Sequence, residues 1–193
     1  VPLMNRPRIQ AVVPTYDNRD ELDRCVTSLL AQTVALAQIL VCVDGSADGT
    51  LELLARRSRS DARVVPLTHL DGVNHGRAAA RNLALARLDG DYTWFVDSDM
   101  DAAPAAVERH LAIASASRVS VGQVEYVNAE QNPWAGYLNT RGRHRYSQGA
   151  SLPETQFTTA NAVVPTELVS TEKGFDERFA TYGGEDIDFA IRL

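Results

Sequence analysis

Three short apolar runs, residues 9–13, 39–43 and 92–96, each stop at a residue that ends a strand: Pro14, Asp44 and Asp97. Runs of this length fit strands buried on both faces, as in a parallel sheet. Between the first two the spacing changes: Leu22, Cys25, Val26, Leu29 and Leu30 recur at i, i+3, i+4, i+7 and i+8, a helical stripe. Strands alternating with helices demand right-handed crossovers, and so a mostly parallel sheet covered by helices on both faces. The expectation is an α/β protein, with one domain over residues 1–193.

The remaining segments fit that plan. The turn cluster 44–49 leads to a helix carrying Leu51, Leu54 and Ala55, with Asp48 as its cap. Residues 63–67 read as a weaker strand, the Ala-rich stretch 76–88 as a helix, and Pro104 as the start of a helix through Ser115. A fifth strand is expected over 119–127. The stretch 128–156 is polar and lacks periodicity, with Trp134, Tyr137 and Tyr146 among Arg141, Arg143, His144 and Arg145; it reads as a flexible loop, either facing a substrate or simply solvated at the surface. Order returns at 157–164, and the turn at 182–184 opens a last helix over 185–191.

Composition excludes several classes. With 19 Lys and Arg against 25 Asp and Glu, the net charge of −6 argues against a general nucleic-acid binder. Cys25 and Cys42 both lie in apolar segments, as buried free thiols do, which fits a reducing compartment. No run approaches the roughly 18 apolar residues of a membrane span, and residues 1–10 lack the apolar core of a secretory signal. The expected location is cytoplasmic, or the cytoplasmic face of a membrane for a longer protein. Val1 at the start and the absence of a helix stop at 191–193 give the expectation of a piece of such a protein.

In open parallel sheets ligands gather at the carboxyl ends of strands, which puts Pro14 to Asp17, Asp44 to Asp48 and Asp97 to Asp101 along one rim. Asp97 and Asp99, two apart, project to one side about 7 Å from each other. Like charges so close ionise together only with a cation between them, and carboxylates suit hard ions such as Mg²⁺ or Mn²⁺ whose shell a phosphate completes. The pattern itself is common, since the chain holds four Asp-x-Asp matches, and a solvated strand-end cap is the alternative. Neither a G-x-G-x-x-G nor a P-loop motif is present.

Taken in order, Val13-Pro14-Thr15-Tyr16-Asp17, Val43-Asp44-Gly45-Ser46, Asn74-His75-Gly76 with Ala80-Arg81-Asn82, Asp97-Ser98-Asp99, and Gly174-Phe175-Asp176 with Gly183-Gly184-Glu185-Asp186 resemble the family 2 glycosyltransferases. The resemblance implies a GT-A fold, a single Rossmann-like domain with a mostly parallel central sheet. It implies sugar transfer with inversion from a nucleotide-diphosphate sugar, UDP foremost, using a divalent metal. The acceptor is a glycan, a lipid-linked molecule or a small molecule.

By position, Asp44 matches the carboxylate that accepts the uracil N–H; capping of its own turn is the alternative. Pro14, Thr15, Asp17 and Asn74 would line the nucleotide site. Arg81 would meet nucleotide oxygens, or else form a helix-surface ion pair. The resemblance implies that Asp97 lies by the ribose with Ser98 in the nucleotide site and that Asp99 binds the metal, with Asp101 a weaker third candidate. The resemblance makes Asp186 the catalytic base, with Glu185 orienting the acceptor; stabilising a helix N-terminus is the alternative for both. Gly183 and Gly184 would let donor and acceptor approach, and Trp134 or Tyr146 would stack on a sugar or pin the loop.

The chain departs from the family pattern in two places. Val43 stands where relatives commonly carry a second acid, and none of His69, His75, His110 or His144 occupies the family's metal-ligand position. The rival readings are a sugar nucleotidylyltransferase, which normally carries a Gly-rich basic N-terminal loop, and a non-catalytic binding module on the same fold.

Overall fold

Six strands, β1 (Ile9–Thr15), β2 (Gln38–Val43), β3 (Val64–Thr68), β4 (Tyr92–Val96), β5 (Ser120–Val121) and β6 (Asn161–Pro165), form one sheet in the order β3-β2-β1-β4-β6-β5. The computed structural model describes residues 7–179 and 183–193, so Tyr182 of the final turn lies outside the described residues. The first four strands run parallel. Helices α1 (Arg19–Leu30), α2 (Thr50–Ser60), α3 (Arg77–Asn82), α4 (Ala106–Leu111), α5 (Pro133–Leu138), α6 (Thr166–Thr171) and α7 (Glu185–Arg192) complete the chain. No helix among the described residues is long and apolar enough to cross a membrane.

Alternation along the strands builds two cores. Ile9, Ala11 and Val13 point to the face that Ile39, Val41, Trp94 and Val96 share, where the predicted stripe of α1 and Leu53 and Leu54 of α2 cover them. Val12, Leu40, Cys42 and Phe95 point to the other face, under α3, α6 and α7. Small residues on α3, Ala78 and Ala80, let that helix lie close to the sheet. Phe189 of α7 enters a ring cluster with Phe175 (centroids 4.4 Å apart), Phe95 and Phe157. That anchor fixes the first turn of α7.

Most departures from expectation lie in the second half. β6 runs antiparallel to β4, and β5 antiparallel to β6. After β4 the chain goes out to the edge as β5 and comes back as β6 into the gap between them, a return that reverses direction. The fifth strand is two residues long instead of nine, because pairing ends at Val121↔Ala162 and the Asn161 side chain fills the space beside Gly122. The Ala-rich helix stops at Asn82, whose amide turns to Phe175, and resumes as a 3₁₀ turn at Leu85–Arg87. The helix expected from Pro104 begins at Ala106. Residues 128–156 hold α5 and further 3₁₀ turns rather than no regular structure. Asn132 caps α5 and Pro133 opens it, a start signal the composition of that stretch concealed.

Candidate active site

Where β1 and β4 part to receive crossovers on opposite sides, their carboxyl ends and that of β2 open a cleft of about 380 Å³. Pro14, Thr15, Asp44, Asn74, Arg81, Asp97, Ser98 and Asp99 all line it, as do Tyr16, Asn18 and Arg77. Sequence reasoning gave Tyr16 no role of its own and passed over Asn18 and Arg77. The helix-start position of Asn18, immediately before an apolar stripe, is the signal that would have found it.

The rim is held by side chains that cross between loops. Asp44 is buried, and its two carboxylate oxygens accept the backbone N–H groups of His75 (2.7 Å) and Gly76 (2.9 Å). It therefore ties the end of β2 to the start of α3 and does not cap its own turn. Gly45 permits this approach: its φ is 76°, and a Cβ there would lie 2.6 Å from the Asn74 nitrogen. Asn18 accepts from the Thr15 hydroxyl and donates to Ser98 Oγ (2.6 Å), joining the ends of β1 and β4 through the start of α1. Asp48 accepts from Arg19 N and from both N and Oγ1 of Thr50, so one carboxylate serves the first turns of α1 and α2.

Two expected residues stand outside the cleft wall. Asp17 accepts from Ala47 N (2.7 Å) and its own N–H donates to Ser46 Oγ, so it staples two loops at the surface. Asp101 is exposed and does not line the cleft. Trp134 is stacked on Tyr137 (5.2 Å, 17°), with Arg141 over the same tyrosine; neither Trp134 nor Tyr146 lines this cleft or the depression beside it.

That depression, of about 180 Å³, is walled by Gly183, Gly184, Glu185 and Asp186 and shares Arg77 with the cleft. Gly184 has a φ of 99° and its Cα faces the Phe179 ring, 3.0 Å from where a Cβ would sit. Arg81, which lines the cleft, is only 2% exposed. Its Nη2 donates to Asp97 Oδ1 (3.1 Å) and its Nη1 to Glu185 Oε1 (3.3 Å), with Asp186 Oδ1 at 3.7 Å. The guanidinium also lies 5.5 Å from the Phe175 ring centroid. Asp97, just past β4, and the two acids of α7 thus meet on one cation. Asp186 further accepts from Thr158 Oγ1 (3.3 Å), Thr159 N (3.1 Å) and Thr159 Oγ1 (2.8 Å).

Burial pushes the Asp97 carboxyl above its ordinary range; Arg81 opposes the shift, while Asp186 and Asp99 add to it. Cys25 donates to the Asp97 carbonyl at 3.6 Å, and burial lifts its thiol to about 12, so it braces the strand end and is no nucleophile. Asp99 is exposed at the cleft. Among the described residues no group of three or more His, Cys, Asp or Glu side chains is gathered for a metal ion. Asp99, with Asp97 beside it, offers one or two carboxylates at the cleft, a donor set that fits Mg²⁺ or Mn²⁺ when ligand phosphates supply the remaining oxygens.

Known proteins carry the same architecture. The TarS protein of Staphylococcus aureus, in a crystal structure in complex with UDP, superposes with a TM-score of 0.75 at 20% identity, over 95% of this chain and 54% of that one. The mannosyltransferase PcManGT of Pyrobaculum calidifontis, in complex with GDP-Man and Mn²⁺, gives 0.70 at 20% identity, over 96% and 51%. In sequence, the glycosyltransferase GlyA of Streptococcus pneumoniae is 36% identical over 92 residues, 48% of this chain and 13% of that protein. The chain spans only about half of the two structures, and less of GlyA. Residues 10–167, from β1 into the start of α6, match the model of glycosyl transferase family 2. On that match, which takes in every strand of the sheet and the whole strand-end rim, the chain belongs to glycosyl transferase family 2.

Proposed function

We propose that this domain transfers a sugar from a nucleotide-diphosphate sugar, UDP foremost, to an acceptor hydroxyl with inversion at the anomeric carbon. One observation carries the reading: a single buried arginine joins Asp97 of the cleft to Glu185 and Asp186 of the adjoining depression, all within 4.0 Å. Two hollows that share a wall and a charge network suit a donor in one and an acceptor in the other.

In this reading Pro14, Thr15 and Asn74 shape the nucleotide end, and Asp44, already fixed by two backbone N–H groups, presents its remaining lone pairs to the base N–H. A divalent metal, Mn²⁺ or Mg²⁺, would be held by Asp99 with Asp97 beside it, and when bound supplies Lewis-acid stabilisation of the departing diphosphate. Asp186 takes the proton of the acceptor hydroxyl as that oxygen bonds to the anomeric carbon and the bond to diphosphate breaks. Thr158, Thr159 and Arg81 hold the Asp186 carboxylate in one orientation while it does so. Glu185 orients the acceptor side. The acceptor class is a glycan, a lipid-linked molecule or a small molecule.

The test is nucleotide release from UDP-, GDP- and dTDP-sugars with Mn²⁺, alongside thermal melting with UDP. Release from one class of donor is expected, together with a UDP-dependent rise in Tm whose Mn²⁺-dependent part is lost in Asp99→Ala. Absence of release from every donor, with no metal-dependent rise for any nucleoside diphosphate, would overturn the proposal.

A further inference from the structure

Arg81 has five N–H donors, and desolvating them is costly unless they meet acceptors. Both Nη atoms are engaged by carboxylates, and the side chain is 2% exposed. The Nε of Arg81 and the Oε2 of Glu185 are buried without a hydrogen-bond partner. An interior this short of partners is not a minimum set by stability alone, and such groups gather where function constrains geometry. The three acids come from distant parts of the chain, the end of β4 and the first turn of α7. Carboxylates brought this close repel one another, and the guanidinium fork offsets this at two Nη atoms at once, which a point-like ammonium does not do.

The geometry points to Arg81 as a positioning residue: it holds Glu185 and Asp186 in register with Asp97 and acts on transfer through them, not by touching the donor's phosphate oxygens. This rests on the transferase reading above. Because the Nη donors face carboxylates, little of the fork remains for a ligand. Its removal should therefore slow the chemical step while leaving nucleotide binding nearly intact.

The experiment is a double-mutant cycle of Arg81→Lys and Asp186→Asn, reading kcat and donor KM by nucleotide release, UDP affinity by calorimetry with Mn²⁺, and Tm. Arg81→Lys is expected to lower kcat by about thirtyfold while UDP affinity and donor KM stay within about threefold. In the Asp186→Asn background the same change should lower kcat by clearly less than about thirtyfold, because one of the two acids it acts through is already gone. Lysine that raises donor KM or weakens UDP about tenfold with kcat kept, or whose effect adds fully to that of Asp186→Asn, overturns the inference and returns Arg81 to the donor. If Arg81→Lys lowers Tm by more than about 10 °C, Glu185→Gln replaces it, since it keeps the arginine and removes one charge. Lower kcat with unchanged UDP affinity in that variant supports the inference, and unchanged kcat overturns it. A wild-type protein silent towards every sugar nucleotide ends the transferase reading and this inference together, whereas an active wild type with either contrary pattern ends this inference alone.

Discussion

The strand-end rim and the stretch from Gly122 to Gln156 are built on opposite terms. On the rim, side chains are spent on holding backbone: Asp44, Asn18, Asp17 and Asp48 each bridge two segments, and Asp44 is buried. In the second region most residues are exposed, including Tyr126, Val127, Trp134 and Tyr137, and the bonds are local, such as the Tyr126–Asn139 pair. A rim made this way has its shape before any ligand arrives, which lowers the ordering cost of binding. The second region keeps large side chains on its surface, as a segment does whose fit is completed by what it meets. On the proposed reading, the nucleotide end rests on a rim whose shape internal hydrogen bonds set, whereas residues 122–156 leave their large side chains open to external contacts.

The contrast can be broken most sharply at Gly45. Gly45→Val puts a branched side chain where φ is 76° and a Cβ would meet backbone at 2.6 Å, so it should cost about 3 kcal/mol or more and abolish UDP binding. Denaturant unfolding with calorimetry checks both. An equally large loss from substituting glycine at position 149, where φ is 80° and the space is open, would show that strain alone and not loop approach matters.

A smaller effect belongs to the seam between the regions. His110 is buried, with its ring nitrogens on Ser120 Oγ and Asn161 Oδ1, and burial lowers its pKa. The unfolded chain protonates this histidine near pH 6.5, the folded one only at lower pH. Between the two the unfolded state binds more protons, so stability rises with pH and is lost as pH falls through that window. Tm between pH 7 and pH 5 should fall less in His110→Gln than in the wild type. The smallest change is expected from Trp134→Ala: less than about 1 kcal/mol of stability and no shift in UDP affinity, because its stacking partner Tyr137 is itself exposed. Nucleotide binding that weakens in this variant would show that the two regions are coupled.

The helices and strands of the first half are legible in the sequence because their burial is periodic: Leu22, Cys25, Val26 and Leu29 form the inner face of α1 as their spacing demands. The direction of β6 is not legible. An antiparallel strand buried on both faces, such as the Ala162-Val163-Val164 segment, has the same apolar run as a parallel one, and only the path between strands distinguishes them. At the site, position after a strand correctly brings Asp44, Asp97 and Asp99 to one cleft. That Arg81 would sit between Asp97 and the acids of α7 is invisible, since ion pairs across 104 residues leave no local spacing to read. Asp17 shows the converse: the right residue type at the right strand end serves to staple loops.

The insertion of β6 between β4 and β5 has a consequence for biosynthesis. A nascent chain finishes β4 and then emits the whole exposed region before the partner for that strand's outer hydrogen-bonding row leaves the ribosome. During that interval Trp94 and Phe95 flank an unsatisfied strand border, the kind of surface that recruits other chains. Chaperone demand and the yield of shortened versions should therefore hinge on whether residues 161–165 have been made.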